Sequence, residues 1–223
     1  VGLNLLLAVV FIQHISSLPI AMSQDGLAPA TYGSVIALNG VLIVSGQLFV
    51  PRLIGGRNRS HVLALAAAVV GLGFGLTAAA NQAWLYALTV LIWTAGEMLS
   101  SPSTSTLLAE LSPTEMRGRY QGVFSLAWSL ASFIAPIAGG FVQEHSSDSV
   151  LWLGCAGIAA LVAAGHLVSG PARERRADLL RTGPPAAASA KATPAPTAAA
   201  SRPPTAPGAP VAHAETGAQY LGS

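Results

Sequence analysis

AWLYALTVLIWTAGEMLSSP, residues 83–102, runs for fourteen residues without a charge and then places a carboxylate, Glu97, inside an otherwise apolar span. The length of that span decides the fold class. A bilayer core needs about 20 predominantly apolar residues per helix, and this run continues through SSPSTSTLLA before its next acid, Glu110. Backbone N–H and C=O groups in hydrocarbon must pair within their own segment, which selects a helix. Working outward from it, five more apolar segments appear, giving spans over about 1–22, 31–54, 61–80, 83–109, 120–143 and 149–170. None shows the period-2 alternation of a membrane barrel strand.

Composition agrees. Of 223 residues, 52% are hydrophobic and 9% charged, against roughly 25% charged in soluble domains. Residues 1–170 hold five Arg, no Lys and six acids. A net charge of +2 and a pI near 9.0 do not indicate nucleic acid, because the basic residues sit in short connections and the tail rather than in a stripe with interleaved aromatics. Cys155 is the single cysteine, which excludes disulfides within the chain and cysteine-based metal sites; we expect it to pack in the core or face lipid. The chain opens within the apolar run VGLNLLLAVVFIQ, with Val1 in place of Met and no basic leader or small-residue cleavage site. We read this as a truncated or non-ATG start rather than a cleavable signal.

The connections alternate in charge. Arg52, Arg57 and Arg59 lie in the second, Arg117 and Arg119 in the fourth, and Arg173, Arg175 and Arg176 just after the last span; the first, third and fifth carry no Lys or Arg. By the positive-inside rule, the even connections and the C-terminus are cytoplasmic. This predicts a multi-pass protein of the plasma membrane. GLGFG, with Gly71 and Gly75 one turn apart, permits close helix approach and lacks the strand and acidic partner of a dinucleotide site. Pro19, Pro102 and Pro136 are expected to interrupt spans one, four and five. Residues 171–223 are Pro/Ala-rich with almost no large apolar side chains, and predict a disordered cytoplasmic tail, to whose His213 no role is assigned.

Glu97 falls near the bilayer midplane. An ionisable group there is costly unless it faces a cavity or is neutralised, so function is the default reading; the structural alternative is a protonated acid donating to a neighbouring helix. Steps of three and four place Trp93, Glu97, Ser100 or Ser101, and Thr104 on one side of the helix. Span one carries Gln13 and His14 at comparable depth, and Asn39 and Gln47 of span two are candidates for the same cavity. Spans one to three and four to six match as two inverted triplets, an arrangement that puts a site at mid-depth between repeats. Glu97, His14, Gln13, Asn39, Trp93, Ser101 and Thr104 are therefore the candidate substrate and proton pathway.

In AELSPTEMRGRYQG, Ser112, Pro113 and Glu115 form a capping-box start for a short helix. Arg117 and Arg119 then lie at headgroup level, where they anchor the topology or, with Glu110 and Glu115, make and break a cytoplasmic gate. Arg57 and Arg59 are assigned to the same side.

LIWTAGEMLSSPSTSTLLAELSPTEMRGRYQGVFSLAWSLASFIAPIAGGF resembles the tenth and eleventh spans, and the loop between them, of bacterial major facilitator superfamily transporters of the drug and multidrug efflux type. Gly96-Glu97, Pro102, Arg117-Gly118-Arg119-Tyr120-Gln121-Gly122 and Ala135-Pro136 with Gly139-Gly140 carry the likeness, which covers about residues 1–170 as the C-terminal half of that fold. The resemblance implies twelve spans in two halves, a central cavity, alternating access and proton-coupled movement of a small solute. The N-terminal half with its diagnostic loop is missing, and RLIGGRNRS is similar to the weaker C-terminal echo of that loop, without its aspartate. The expected partners are membrane lipid, a small solute with protons, and the missing six-span half or a second copy, with no nucleic acid, metal or cofactor.

The alternatives are a half-length, non-transporting membrane subunit or remnant, and an intramembrane protease. Serines in span four and His166 in span six superficially resemble the rhomboid arrangement, although the glycine-flanked serine motif is absent and these residues lie towards the cytoplasmic side. A soluble enzyme is excluded, since no phosphate loop, H-E-x-x-H pair or nucleotide fingerprint occurs.

Overall fold

The computed structural model describes residues 2–112 and 116–182. They form α1 (Gly2–Ser16), α2 (Leu18–Gln24), α3 (Pro29–Gly46), α4 (Val50–Ile54), α5 (Arg59–Thr77), α6 (Ala83–Leu111), α7 (Arg117–His145) and α8 (Asp148–Thr182). No strand occurs among the described residues. Five helices are long and apolar enough to cross a membrane, or six when α1 and α2, bent by 41°, count as one broken span. The chain is thus an all-α, multi-pass membrane protein.

Two spans differ in extent from the sequence expectation. The expected span 31–54 ends its first helix at Gly46 and resumes as α4 after a turn in which Phe49 N–H donates to the Gly46 carbonyl at 2.9 Å. Pro51, in the first turn of α4, falls where its missing N–H costs nothing. The last span does not stop at residue 170: α8 runs through Pro171 to Thr182, because ARERRADLLR is composed largely of strong helix formers. Residues 183–223, and with them most of the expected disordered tail, lie outside the described residues.

Of the three prolines expected to interrupt spans, only Pro19 lies at a break, in the first turn of α2. Pro102 and Pro136 are inside continuous helices. Side chains add bonds to neighbouring carbonyls: Thr106 Oγ1 donates to Pro102 O at 2.7 Å, and Gln13 Nε2 of α1 donates to Ala135 O at 3.0 Å.

The core forms where small residues let α5 sink between α6 and α8. A Cβ on Gly71 would lie 2.7 Å from Ala159 Cβ, and one on Gly75 3.0 Å from Ala156 Cβ, so this glycine pair packs on α8. On another side of α5, a Cβ on Gly73 would lie 2.6 Å from the Trp93 N atom of α6, and Gly96 of α6 meets Ala66 and Val70 as closely. Phe11, Phe74, Trp93 and Trp152 fill the interior; Phe74 and Trp93 stack at 5.5 Å and Phe11 meets Phe74 edge-on at 6.3 Å, geometries that aromatic quadrupoles favour. Cys155 is buried in this core. α7 lays Ala127, Ala131, Ala135 and Gly139, one turn apart, against α1.

α3 and α7 leave most of their surface uncovered. Val35 is the buried residue of α3, while Val44 is 77% exposed; on α7, Phe133 is 70% exposed. Apolar faces of this size require lipid or another protein surface.

Candidate functional site: a mid-span carboxylate held by Asn39

Glu97 lies fourteen residues from each end of α6, and Gln13 at the centre of the bent span Gly2–Gln24. Depth alone therefore groups α1 and α6, as the sequence suggests. Asn39 of α3 makes the link to the carboxylate: its Nδ2 donates to Glu97 Oε2 at 2.9 Å and to Thr94 Oγ1 at 3.0 Å. Glu97 and Asn39 are half-buried, whereas Thr94 is fully buried. One amide thus holds two acceptors on one turn of α6. The carboxylate's second oxygen stays available, as its donor and acceptor inventory allows.

The expected polar stripe splits into three environments. Trp93 is 1% exposed and belongs to the aromatic core. Thr104, together with Ser100, lines a cavity of about 1050 Å³ nearer the end of the helix, and Ser101 is exposed outside it. His14 lies tilted against Trp93, with ring centroids 5.1 Å apart, and its Nδ1 hydrogen-bonds the Phe11 carbonyl. The imidazole therefore touches the residue one turn from Glu97, while the hydrogen bond to the carboxylate itself comes from α3.

Gln13 is 2% exposed and joins helices. Its amide donates to Ala135 O, and its Oε1 accepts from Ser17 Oγ at 2.5 Å. Gly139 is required for this approach: a Cβ there would come within 2.5 Å of Ser17 Oγ. Gln143 of α7 extends the same polar seam, donating to Ser17 O at 3.3 Å and to Asp148 Oδ1 at 2.8 Å. The bend between α1 and α2 is thereby fastened to α7. Gln47 is the residue after α3, where its N–H caps the Ile43 carbonyl.

Arg57 and Arg59 line a second cavity of about 590 Å³ between the α4–α5 connection, α6 and α8. Asn58 caps α5 by accepting from Ser60 N and His61 N, and its Nδ2 donates to Glu174 Oε1 at 2.6 Å. Arg117 and Arg119 are exposed at the start of α7. Glu115 and Pro113 lie outside the described residues, so the capping box is not seen; α7 begins at Arg117, with Met116 as its cap residue. His166 Nδ1 lies 3.1 Å from Arg173 Nη1, which gives that imidazole nitrogen an arginine partner instead of a serine. No group of three or more His, Cys, Asp or Glu that could hold a metal ion occurs among the described residues.

Sequence reasoning misses Thr94 and Gln143. Thr94 has a readable signal, since it stands three residues before Glu97 on the same helix. Gln143 has none without knowing that α7 packs on the α1–α2 bend. Asn39→Leu is expected to leave the carboxylate without its cross-helix donor, loosen α3 from α6 and destabilise the bundle by about 1–3 kcal/mol. Thermal unfolding in detergent measures this; an unchanged midpoint would show that the bond holds nothing together.

A polytopic helical bundle with a carboxylate at mid-span, held by a neighbouring helix, is an arrangement in which membrane proteins keep a functional ionisable group. The family model of the Major Facilitator Superfamily matches residues 3–211, and the chain belongs to that family. Among curated proteins it is similar to YttB of Bacillus subtilis (strain 168), described as an uncharacterized MFS-type transporter, at 27% identity over 54% of this chain and 31% of that protein. It is also 27% identical to YdeE of Escherichia coli (strain K12), likewise described, over 64% of this chain and 36% of the relative. A Na(+), Li(+), K(+)/H(+) antiporter of Planococcus maritimus is 22% identical over 48% of this chain and 26% of its own length. The matched regions thus span 26–36% of these relatives' lengths.

Proposed function

We propose that the chain is the C-terminal six-helix half of a twelve-span secondary transporter of the cell membrane, which moves a small solute outward by alternating access in exchange for protons. The observation that carries this reading is the Asn39–Glu97 hydrogen bond at mid-span. A charged side chain at a helix centre costs about 2.5–3.5 kcal/mol on insertion scales, and a proton or a cationic solute removes that cost. Glu97 exchanges one for the other: solute arrival displaces the proton, and proton return displaces the solute. The antiporter named for Na(+), Li(+) and K(+) against H(+) is a relative with cation-for-proton chemistry, which supports the assignment of an acid to this role.

The missing half is the partner we assign to α3 and α7. Their uncovered faces combine apolar residues with hydroxyls, such as Ser129 and Ser132, whose protons are given to carbonyls one turn back. Rocking of two halves over such surfaces needs no fixed polar pairs. The arginines beside the α4–α5 connection, at the start of α7 and in α8 support, by the positive-inside rule, a cytoplasmic position for these ends and for the C-terminus.

Two experiments test the proposal. Everted vesicles holding the complete protein are expected to accumulate lipophilic organic cations when energised, and to release them on addition of a protonophore; accumulation that ignores the protonophore rules out proton exchange. For topology, cysteines replacing Asn81 and Ser146 in a Cys155→Ala background are expected to react with an impermeant maleimide added to intact cells, and a cysteine replacing Arg57 is expected to react only after lysis. The reverse pattern inverts the orientation.

A further inference from the structure

The 1050 Å³ cavity where α1, α6, α7 and α8 diverge combines an apolar wall with a cationic end. Leu3, Leu6, Leu107, Val123 and Phe124 supply the wall; Arg119, Tyr120, His166 and Arg173 supply the polar end. No carboxylate lines it among the described residues, and the nearest acid of α8, Glu174, lines the other cavity and accepts from Asn58. Its volume is at the top of the range of small-molecule sites.

Three polar groups at this end have capacity to spare. Arg173 spends Nε on Ser169 O at 3.3 Å, Nη2 on His166 O at 2.7 Å and Nη1 on His166 Nδ1 at 3.1 Å, leaving two of its five N–H donors. Tyr120 accepts from Arg176 Nη2 at 3.0 Å, so its own hydroxyl proton remains to be given. Asn4 Nδ2, also on the lining, is buried with no hydrogen-bond partner among the described residues, and a buried donor of this kind calls for an acceptor. At the cationic end Arg119, Arg173 and the Tyr120 hydroxyl all offer donors. The occupant that fits is an acceptor-rich anion attached to apolar chains.

The geometry points to a binding site for one anionic phospholipid of the cytoplasmic leaflet, its phosphate among Arg119, Tyr120 and Arg173 and an acyl chain along the leucine wall. Charge complementarity and the position at an end of the bundle single out a lipid: basic pockets between membrane helices on the cytoplasmic side recognise anionic headgroups, and chain burial adds affinity with each methylene. The inference rests on the cytoplasmic placement of this end proposed above. That placement is tested by maleimide labelling, independently of lipid binding, so a failure of either is recognised as its own.

The test is native mass spectrometry of the complete protein in mild detergent, titrated separately with phosphatidylglycerol and with phosphatidylcholine of the same acyl chains. Phosphatidylglycerol is expected to bind with one-to-one saturation, and phosphatidylcholine not to saturate. Arg119→Gln and Arg173→Gln are each expected to weaken phosphatidylglycerol binding about fivefold, and Arg117→Gln, which is exposed and does not line the cavity, to leave it unchanged. Because Arg173 also holds two α8 carbonyls, Arg119→Gln alone decides the matter if the Arg173 variant does not fold. Equal binding of the two lipids, or equal losses from Arg117→Gln and Arg119→Gln, overturns the site. So does displacement by glycerol phosphate at the concentration of the lipid, which would show an anion pocket that makes no use of the acyl chain.

Discussion

Glu97→Gln in the complete transporter is expected to abolish proton-driven solute movement while leaving membrane insertion in place. The substitution keeps the side chain's shape, and the glutamine oxygen still accepts from Asn39 Nδ2, which lies 2.9 Å from the native carboxylate. What it removes is the ability to gain and lose a proton. Energised efflux should fall to the vesicle background, and binding of a cationic solute should weaken, because the neutral amide has no charge to exchange for that of the solute. Glu97→Asp, with the acid one methylene shorter, should give partial activity. Full efflux by the glutamine variant would remove Glu97 from the coupling path.

The second large effect is structural. Gly96 stands beside Glu97, and a Cβ there would lie 2.7 Å from Ala66 O and 2.8 Å from Val70 N. Both are backbone atoms of α5 and cannot turn aside. Gly96→Val therefore forces α5 and α6 apart and disturbs the stack of Phe74 on Trp93. Overpacking of this kind costs about 1–3 kcal/mol or more, equivalent to a fall of roughly 3–10 °C in the unfolding midpoint for a chain of this size. Gly154→Val is the control, because a Cβ there meets nothing within 4 Å and the position is exposed. Thermal unfolding of the two variants in the same detergent separates them, and equal midpoints would mean that the close crossing is absent in the membrane protein.

These two neighbours show what the sequence makes legible. Glu97 is visible because an acid in an uncharged run is physically costly, and the six spans are visible because bilayer thickness fixes their length. The four-residue spacing of Gly71 and Gly75 signals close packing, and the pair lies against Ala159 and Ala156 of α8. Helical spacing also places Trp93 with Glu97, but a stripe three or four residues wide cannot say where the core ends and the polar face begins. Trp93 falls on the core side because Gly73 of α5 opens room for it, a long-range fact absent from the local pattern.

The same limit applies to Gln13. Its mid-depth position makes it a pathway candidate, and its amide is engaged with Ala135 and Ser17 because Gly139 lets α1 approach α7. The missing N–H groups of Pro102 and Pro136 suggest interruptions, yet the helices continue across both. The extension of α8 to Thr182 is obscured by Pro171, whose local penalty is outweighed by the helix-forming run after it.

The central claim is that Glu97 takes and gives a proton as solute arrives and leaves. Infrared difference spectroscopy of the complete protein in lipid, recorded on addition and removal of a transported cation, reads that event directly. The account predicts a protonated-carboxyl band that is lost when solute binds, returns when it leaves and is missing from Glu97→Gln. A wild-type difference spectrum without such a band, or with one that survives in Glu97→Gln, would contradict it.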